Sequence, residues 1–137
     1  MSVVVPHRAI EIVSNSKDPK QAIIDTIGDL SGVEVTEALV LLGIYIRPEK
    51  TAGGIIRPTV NVQEDVWQGK VGLVLKWGPN AFRDPETGEL YEQRFDIGEW
   101  GVFKVGDAMG INLNNYPCRL VRDTSLKLKV KNPNIVL

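Results

Sequence analysis

"PEKTAGGIIRP", residues 48–58, is the stretch on which a reading of this chain turns. Its glycines and prolines make it a poor strand and a worse helix, yet Ile55 and Ile56 stand in its middle, side chains a folded protein ordinarily keeps from water. Glycines before the isoleucines and a proline after them favour a segment presented to a partner surface. The plainer alternative is a loop tucked back onto its own domain.

Around that stretch the chain has the make-up of an ordered globular protein. Its 137 residues suit one domain with one core, and a hydrophobic content of 43% with 24% charged residues fits neither a disordered tail nor a membrane protein. The formal net charge of −1, from 16 basic and 17 acidic residues, gives no electrostatic case for nucleic acid or an anionic membrane surface. A single cysteine, Cys118, forms no disulfide within the chain, and with His7 as the only histidine no zinc cluster is expected. Cys118 reads as a small core residue and His7 as a surface or cap residue. The N-terminus lacks the charged and apolar regions of a signal peptide, and no segment approaches the roughly 20 apolar residues that cross a bilayer.

The pattern along the chain begins with an apolar run at residues 3–13, VVVPHRAIEIV, in which Pro6 argues for an edge strand or an extended arm. Asp18 as N-cap, Pro19 at the first helical position, Gln21 as reciprocal capping partner and Gly28 as terminator then predict one short helix. Ile23, Ile24 and Ile27 lie on one face, and so short a helix must dock on its own domain or on a neighbour. From Val33 onward, strands alternate with turn residues in the manner of a small barrel or sandwich. Strands are expected at 33–47, bent at Gly43, and at 68–78, 98–105, 109–113 and 118–130, with a charged hairpin at 84–89. In the last of these, Leu126, Leu128 and Val130 alternate with Lys127, Lys129 and Lys131, as in a half-buried strand whose lysines discourage edge pairing.

Taken in order, Lys50 to Pro58, then Gly69-Lys70-Val71, Gly78-Pro79, Asp96-Ile97-Gly98-Glu99 and Val102-Phe103 resemble the GroES-type co-chaperonin family, from about Val33 to Val130. The resemblance implies a mainly β fold: a small, partly open GroES-like β-barrel at 33–131, preceded by an N-terminal arm and one short α-helix at 1–32 and followed by a tail at 132–137. It also implies ring formation through the first and last strands, a roof at residues 80–94, and a loop offered to a chaperonin groove. Gly53, Gly54, Ile55, Ile56 and Pro58 match the loop motif, whereas Arg57 stands where the family usually has an aliphatic residue. Such an exchange forfeits roughly 1.5–3 kcal/mol of burial and desolvates a charge unless a carboxylate meets it. The arm and the apolar tail depart from the family as well.

The candidate partner-binding residues are therefore Gly53, Gly54, Ile55, Ile56, Arg57, Pro58 and Trp67. Candidate assembly contacts are Val3, Val4, Val5, Ile23, Ile24, Ile27, Ile135, Val136 and Leu137. Trp77 and Trp100 are assigned to the core or barrel mouth. No nucleophile elbow, phosphate-cradling loop or second histidine suggests catalysis, and the acidic hairpin lacks the spacing of a calcium loop. A non-enzymatic protein without cofactors is expected. A phage capsid decoration or cement protein on the virion surface leads by fold-level analogy. A phage-encoded co-chaperonin capping a chaperonin ring in the host cytoplasm is the alternative, and a small ligand-binding barrel or hydrolase comes third. The expected partners are copies of the chain, a viral capsid protein or a chaperonin.

Overall fold

The computed structural model describes residues 18–46 and 70–136. Its first element, α1 (Pro19–Ile27), starts and stops where its capping residues dictate: the Asp18 carboxylate accepts from the Gln21 amide at 3.2 Å, and Gly28, at φ 77°, returns its N–H to Ile24 O. The Gln21 side chain does not complete a reciprocal cap. It reaches forward one turn and donates to Asp25 at 2.8 Å.

Among the described residues six strands follow: β1 (Leu39–Ile44), β2 (Val71–Trp77), β3 (Trp100–Phe103), β4 (Met109–Leu113), β5 (Tyr116–Arg122) and β6 (Leu126–Val130). They form one antiparallel sheet in the order β4-β5-β1-β2-β3-β6. β1 sits inside the sheet and is buried on both faces. On one side Leu41 and Tyr45 join Ile23 and Ile27 of α1, with Leu73, Trp100, Tyr116 and Cys118. On the other, Val40, Leu42 and Ile44 join Val74, Phe82, Phe103 and Val121.

The helix can approach because β1 has no side chain at Gly43: a Cβ there would stand 2.8 Å from Ile23 Cγ2. Gly43 is thus a docking notch rather than the bend expected from the sequence. Ile23 and Ile27 are almost wholly buried in this seat, each contributing about 1.5–3 kcal/mol relative to exposure. Lys76 fastens the connection after the helix, donating to the carbonyls of Leu30 and Val33 at 2.7 and 2.6 Å.

The expected barrel is not formed. β4 and β6 are the two ends of an open sheet, with no ladder between them among the described residues. Alternation of apolar side chains marks which face of a strand is buried, but closure also requires a matched strand number, stagger and tilt, which alternation does not encode. The mainly β content and, among the described residues, one short α-helix do agree with expectation. So do the approximate places of the strands, except that the stretch 118–130 is cut in two by a 3-10 turn at Asp123–Ser125.

The simple alternation expected after that turn also fails. Val102 pairs with Leu128 and Phe103 with Leu126, so Lys127 is an extra residue in the ladder. This β-bulge sends Leu126 to the Phe103 side of the sheet and Val130 to the Trp100 side, and leaves Leu128 54% exposed.

A proline in β5 accounts for one buried hydrogen bond. β5 pairs with β1 as far as Gly43 opposite Cys118. At the next step Pro117 has no N–H to give, and the Ile44 carbonyl accepts instead from the buried Tyr116 hydroxyl. Tyr116→Phe leaves that carbonyl unsatisfied. The expected loss is about 1–3 kcal/mol, read as a lower urea midpoint at unchanged slope.

Candidate functional site

The segment between β2 and β3, residues 78–99, folds over one face of the sheet and positions most of the exposed chemistry. Its tip is a turn closed by Asp84, whose carboxylate accepts from the Glu86 and Thr87 amides at 2.8 and 3.4 Å. Arg83 spans the same turn, donating to Gly88 O at 2.9 Å, and bridges Leu90 across it. The charged hairpin expected at 84–89 is therefore a self-closed turn. Among the described residues no group of three or more His, Cys, Asp or Glu side chains is arranged to hold a metal ion.

Beneath this segment runs a groove of about 530 Å³, floored by Phe82, Phe95 and Leu126. Trp77, Phe82 and Phe95 meet in sequence, the first pair edge-on and the second tilted, with centroids 5.2 and 5.9 Å apart. Arg94, Asp123 and Lys129 at its rim are engaged in holding the fold. Lys129 meets Glu99 at 3.1 Å, lies over the Phe95 ring and donates to Arg94 O, while Arg94 meets Asp96 at 3.0 Å. Asp123 accepts from the Phe82 and Thr124 amides, both at 2.8 Å. These groups tie β6 to the covering segment.

A second cleft, of about 180 Å³, lies between α1 and the turn before β3, lined by Ile24, Ile27, Leu30, Val74, Leu75 and Ile97. Ile24 is 41% exposed and Ile97 64%. The cleft is smaller than the roughly 300–1,000 Å³ typical of small-molecule sites, and its walls are apolar, so it suits a side chain from another polypeptide.

The third feature is the β4 edge. The β4–β5 hairpin turns at Asn114 and Asn115, both with positive φ, and the Asn114 side chain donates to Ile27 O at the end of α1. This ties the edge strand to the helix. Ile111 and Leu113 pack partly on the core cluster beneath α1, and Met109 is 61% exposed.

Arg119, opposite Gly110 in this hairpin, is buried, donates to Cys118 O at 2.9 Å, and lies where a Gly110 side chain would make ordinary contact at 3.4 Å. Loss of solvent lowers its pKa. Burial acts in the opposite sense on Cys118, pushing its thiol up to about 12 against smaller opposing effects of the Leu113 backbone and Arg119. The Tyr116 phenol is likewise held well above its usual value by burial.

Of the residues singled out in the sequence, Ile23 and Ile27 are in the chain's own core, whereas Ile24 faces solvent at the apolar cleft. Ile135 is 69% exposed and Val136 packs partly on the core. Trp100 is buried edge-on against Tyr45, and the half-buried Trp77 donates its indole N–H to Phe95 O at 2.9 Å. Val3, Val4, Val5, Gly53, Gly54, Ile55, Ile56, Arg57, Pro58, Trp67 and Leu137 lie outside the described residues. Sequence reading missed Ile97 and Met109 as surface groups. The signal available for the latter was a strand, MGINL, with neither charge nor proline to guard an edge.

No protein-family model matches this chain, and no curated protein matches it either. Together with the open sheet, this overturns the resemblance to GroES-type co-chaperonins. The capsid decoration and chaperonin-capping readings built on that resemblance fall with it. The short motifs that carried it are turn and strand signals, Gly-Lys-Val and Gly-Pro among them, which many β proteins share.

The buried thiol gives an alkaline signature. An unfolded chain releases the Cys118 proton in the ordinary range near 9, the folded chain only near 12. Between these values the folded state holds more protons, so stability falls as pH rises, and Tyr116 acts in the same direction. Urea unfolding at stepped pH is expected to show this decline between about pH 9 and 12. Cys118→Ala starts less stable at neutral pH but loses less across that window.

Proposed function

We propose that this protein is a non-catalytic binding module that works by contact with other polypeptides, copies of itself first among them. The observation that carries this reading is the open sheet: both edge strands, β4 and β6, present backbone groups without a ladder partner among the described residues, and each also shows an exposed apolar side chain, Met109 or Leu128. Such edges pair with further strands unless something guards them. The apolar cleft at Ile24 and Ile97 supports the same reading, being shaped for a side chain rather than a metabolite.

Two further features favour binding over catalysis. The buried thiol is held in its unreactive protonated form. Arg94, Asp123 and Lys129 around the groove beneath the 78–99 segment are engaged in ion pairs and backbone hydrogen bonds that close the fold.

Sedimentation equilibrium of the purified protein, from micromolar to millimolar concentration, tests the reading. The average mass is expected to rise with concentration towards a defined oligomer. A constant monomer mass throughout would refute self-assembly as its work.

A further inference from the structure

The outer edge of β6 carries one sign of charge around one apolar side chain. Of its five residues Leu126 and Val130 are buried, and Lys127, Leu128 and Lys129 are exposed. Lys131, one residue beyond the strand, is exposed as well, and no acidic residue interrupts the run 127–131. Glu99 meets Lys129 at 3.1 Å, whereas Lys127 and Lys131 have no ion pair among the described residues.

The ladder fixes which backbone groups this edge offers. Phe103 donates its N–H to Lys70 O, so Phe103 and Gly101 turn their backbone groups towards β2, and Trp100 and Val102 turn theirs towards β6. Their partners Val130 and Leu128 therefore bond to β3, and the N–H and C=O of Lys129, between them, point away from the sheet. Side chains alternate along the same stretch. Leu128 lies on the α1 side opposite Val102, and Lys129 lies on the other side over the Phe95 ring, beside the groove that Lys127 also lines.

Lysines on an edge turn away strands of like charge, a second β6 among them. The same lysines favour a strand of opposite charge, and a guard by itself has no use for a leucine left 54% exposed at its centre. We infer that β6 is a docking edge for an acidic, extended segment of another polypeptide, one that alternates carboxylates with apolar side chains. This rests on the binding-module reading above and adds a partner for one edge. Laid against β6, such a segment bonds to the outward N–H and C=O of Lys129. Its apolar residue opposite Leu128 covers that side chain, and the carboxylates that flank it fall on the groove side with Lys127 and Lys129. Lys129 is already met by Glu99, so Lys127 and Lys131 carry the recognition. Attraction between exposed charges is weak and is screened by salt.

The probe is an end-blocked peptide of alternating glutamate and valine, about six residues long as an average strand is, titrated at low salt into the full chain. Calorimetry is expected to show binding that fades as salt is added, and Lys127→Glu is expected to weaken it roughly tenfold. In hydrogen exchange the peptide is expected to slow the Lys129 amide and to leave those of Leu128 and Val130 unchanged. Should Lys127→Glu disturb the bulge, Lys131→Glu and the wild-type exchange pattern still decide the matter. Equal binding of a lysine–valine peptide, or binding that leaves the Lys129 amide unaltered, would overturn the assignment. Equal protection by a single-stranded oligonucleotide would overturn it too, marking the lysines as a general anion patch. A chain that ignores the peptide yet self-associates in sedimentation would lose this partner and keep the binding-module reading, and a monomer that ignores the peptide would lose both.

Discussion

The structure depends on covering β1 from both faces. This strand runs inside the sheet between β2 and β5, and all but its first residue are buried. An antiparallel sheet can leave one face to water, but here the apolar side chains on both sides of β1 demand two covers. On one side the cover is α1, seated in the notch at Gly43. On the other it is the 78–99 segment, whose Ala81, Phe82 and Phe95 close over Val40, Leu42 and Ile44. Neither cover would hold its shape alone: the helix is nine residues long, and the segment is irregular except for one bridge.

Two bulges make this double packing possible. Between Leu41 and Leu42 the partner on β2 jumps from Lys76 to Val74, so Leu75 is inserted into the ladder. Leu75 stays on the helix side, Lys76 turns to the carbonyls of the α1–β1 connection, and Trp77 swings to the opposite face to meet Phe82 edge-on. The bulge at Lys127 divides β6 in the same way, giving Leu126 to one core and Val130 to the other. Extra residues of this kind increase local twist and re-aim side chains, which lets short strands serve two cores.

With both faces of β1 covered, apolar groups are left exposed at edges and seams. Lys129 of β6 is tied back by Glu99 and the Arg94 carbonyl, so that edge is both charged and fastened to the cover. β4 is anchored through its hairpin and the Asn114 bond to α1, and its five residues carry no charge. The cleft between Ile24 and Ile97 is a seam where the two covers approach one another over β2. The apolar surface of the described residues is thus a remainder of how the core was closed.

By itself the sequence determined the elements whose cause is local. Asp18, Pro19 and Gly28 set the ends of α1; turn residues set the approximate strand positions; and apolar runs marked Trp100 and Cys118 as core material. Those signals act within a few residues, through capping, backbone preference and alternation. Only the tertiary structure decided that the sheet stays open, that Gly43 receives a helix, that Lys127 breaks an otherwise clean alternation, and that Met109 and Ile97 stand in water. Each of these turns on a long-range contact, such as Ile23 against Gly43 or Phe103 against Leu126. No periodicity in one segment records which distant segment will meet it, and so a convincing string of short motifs pointed to a barrel the chain does not build.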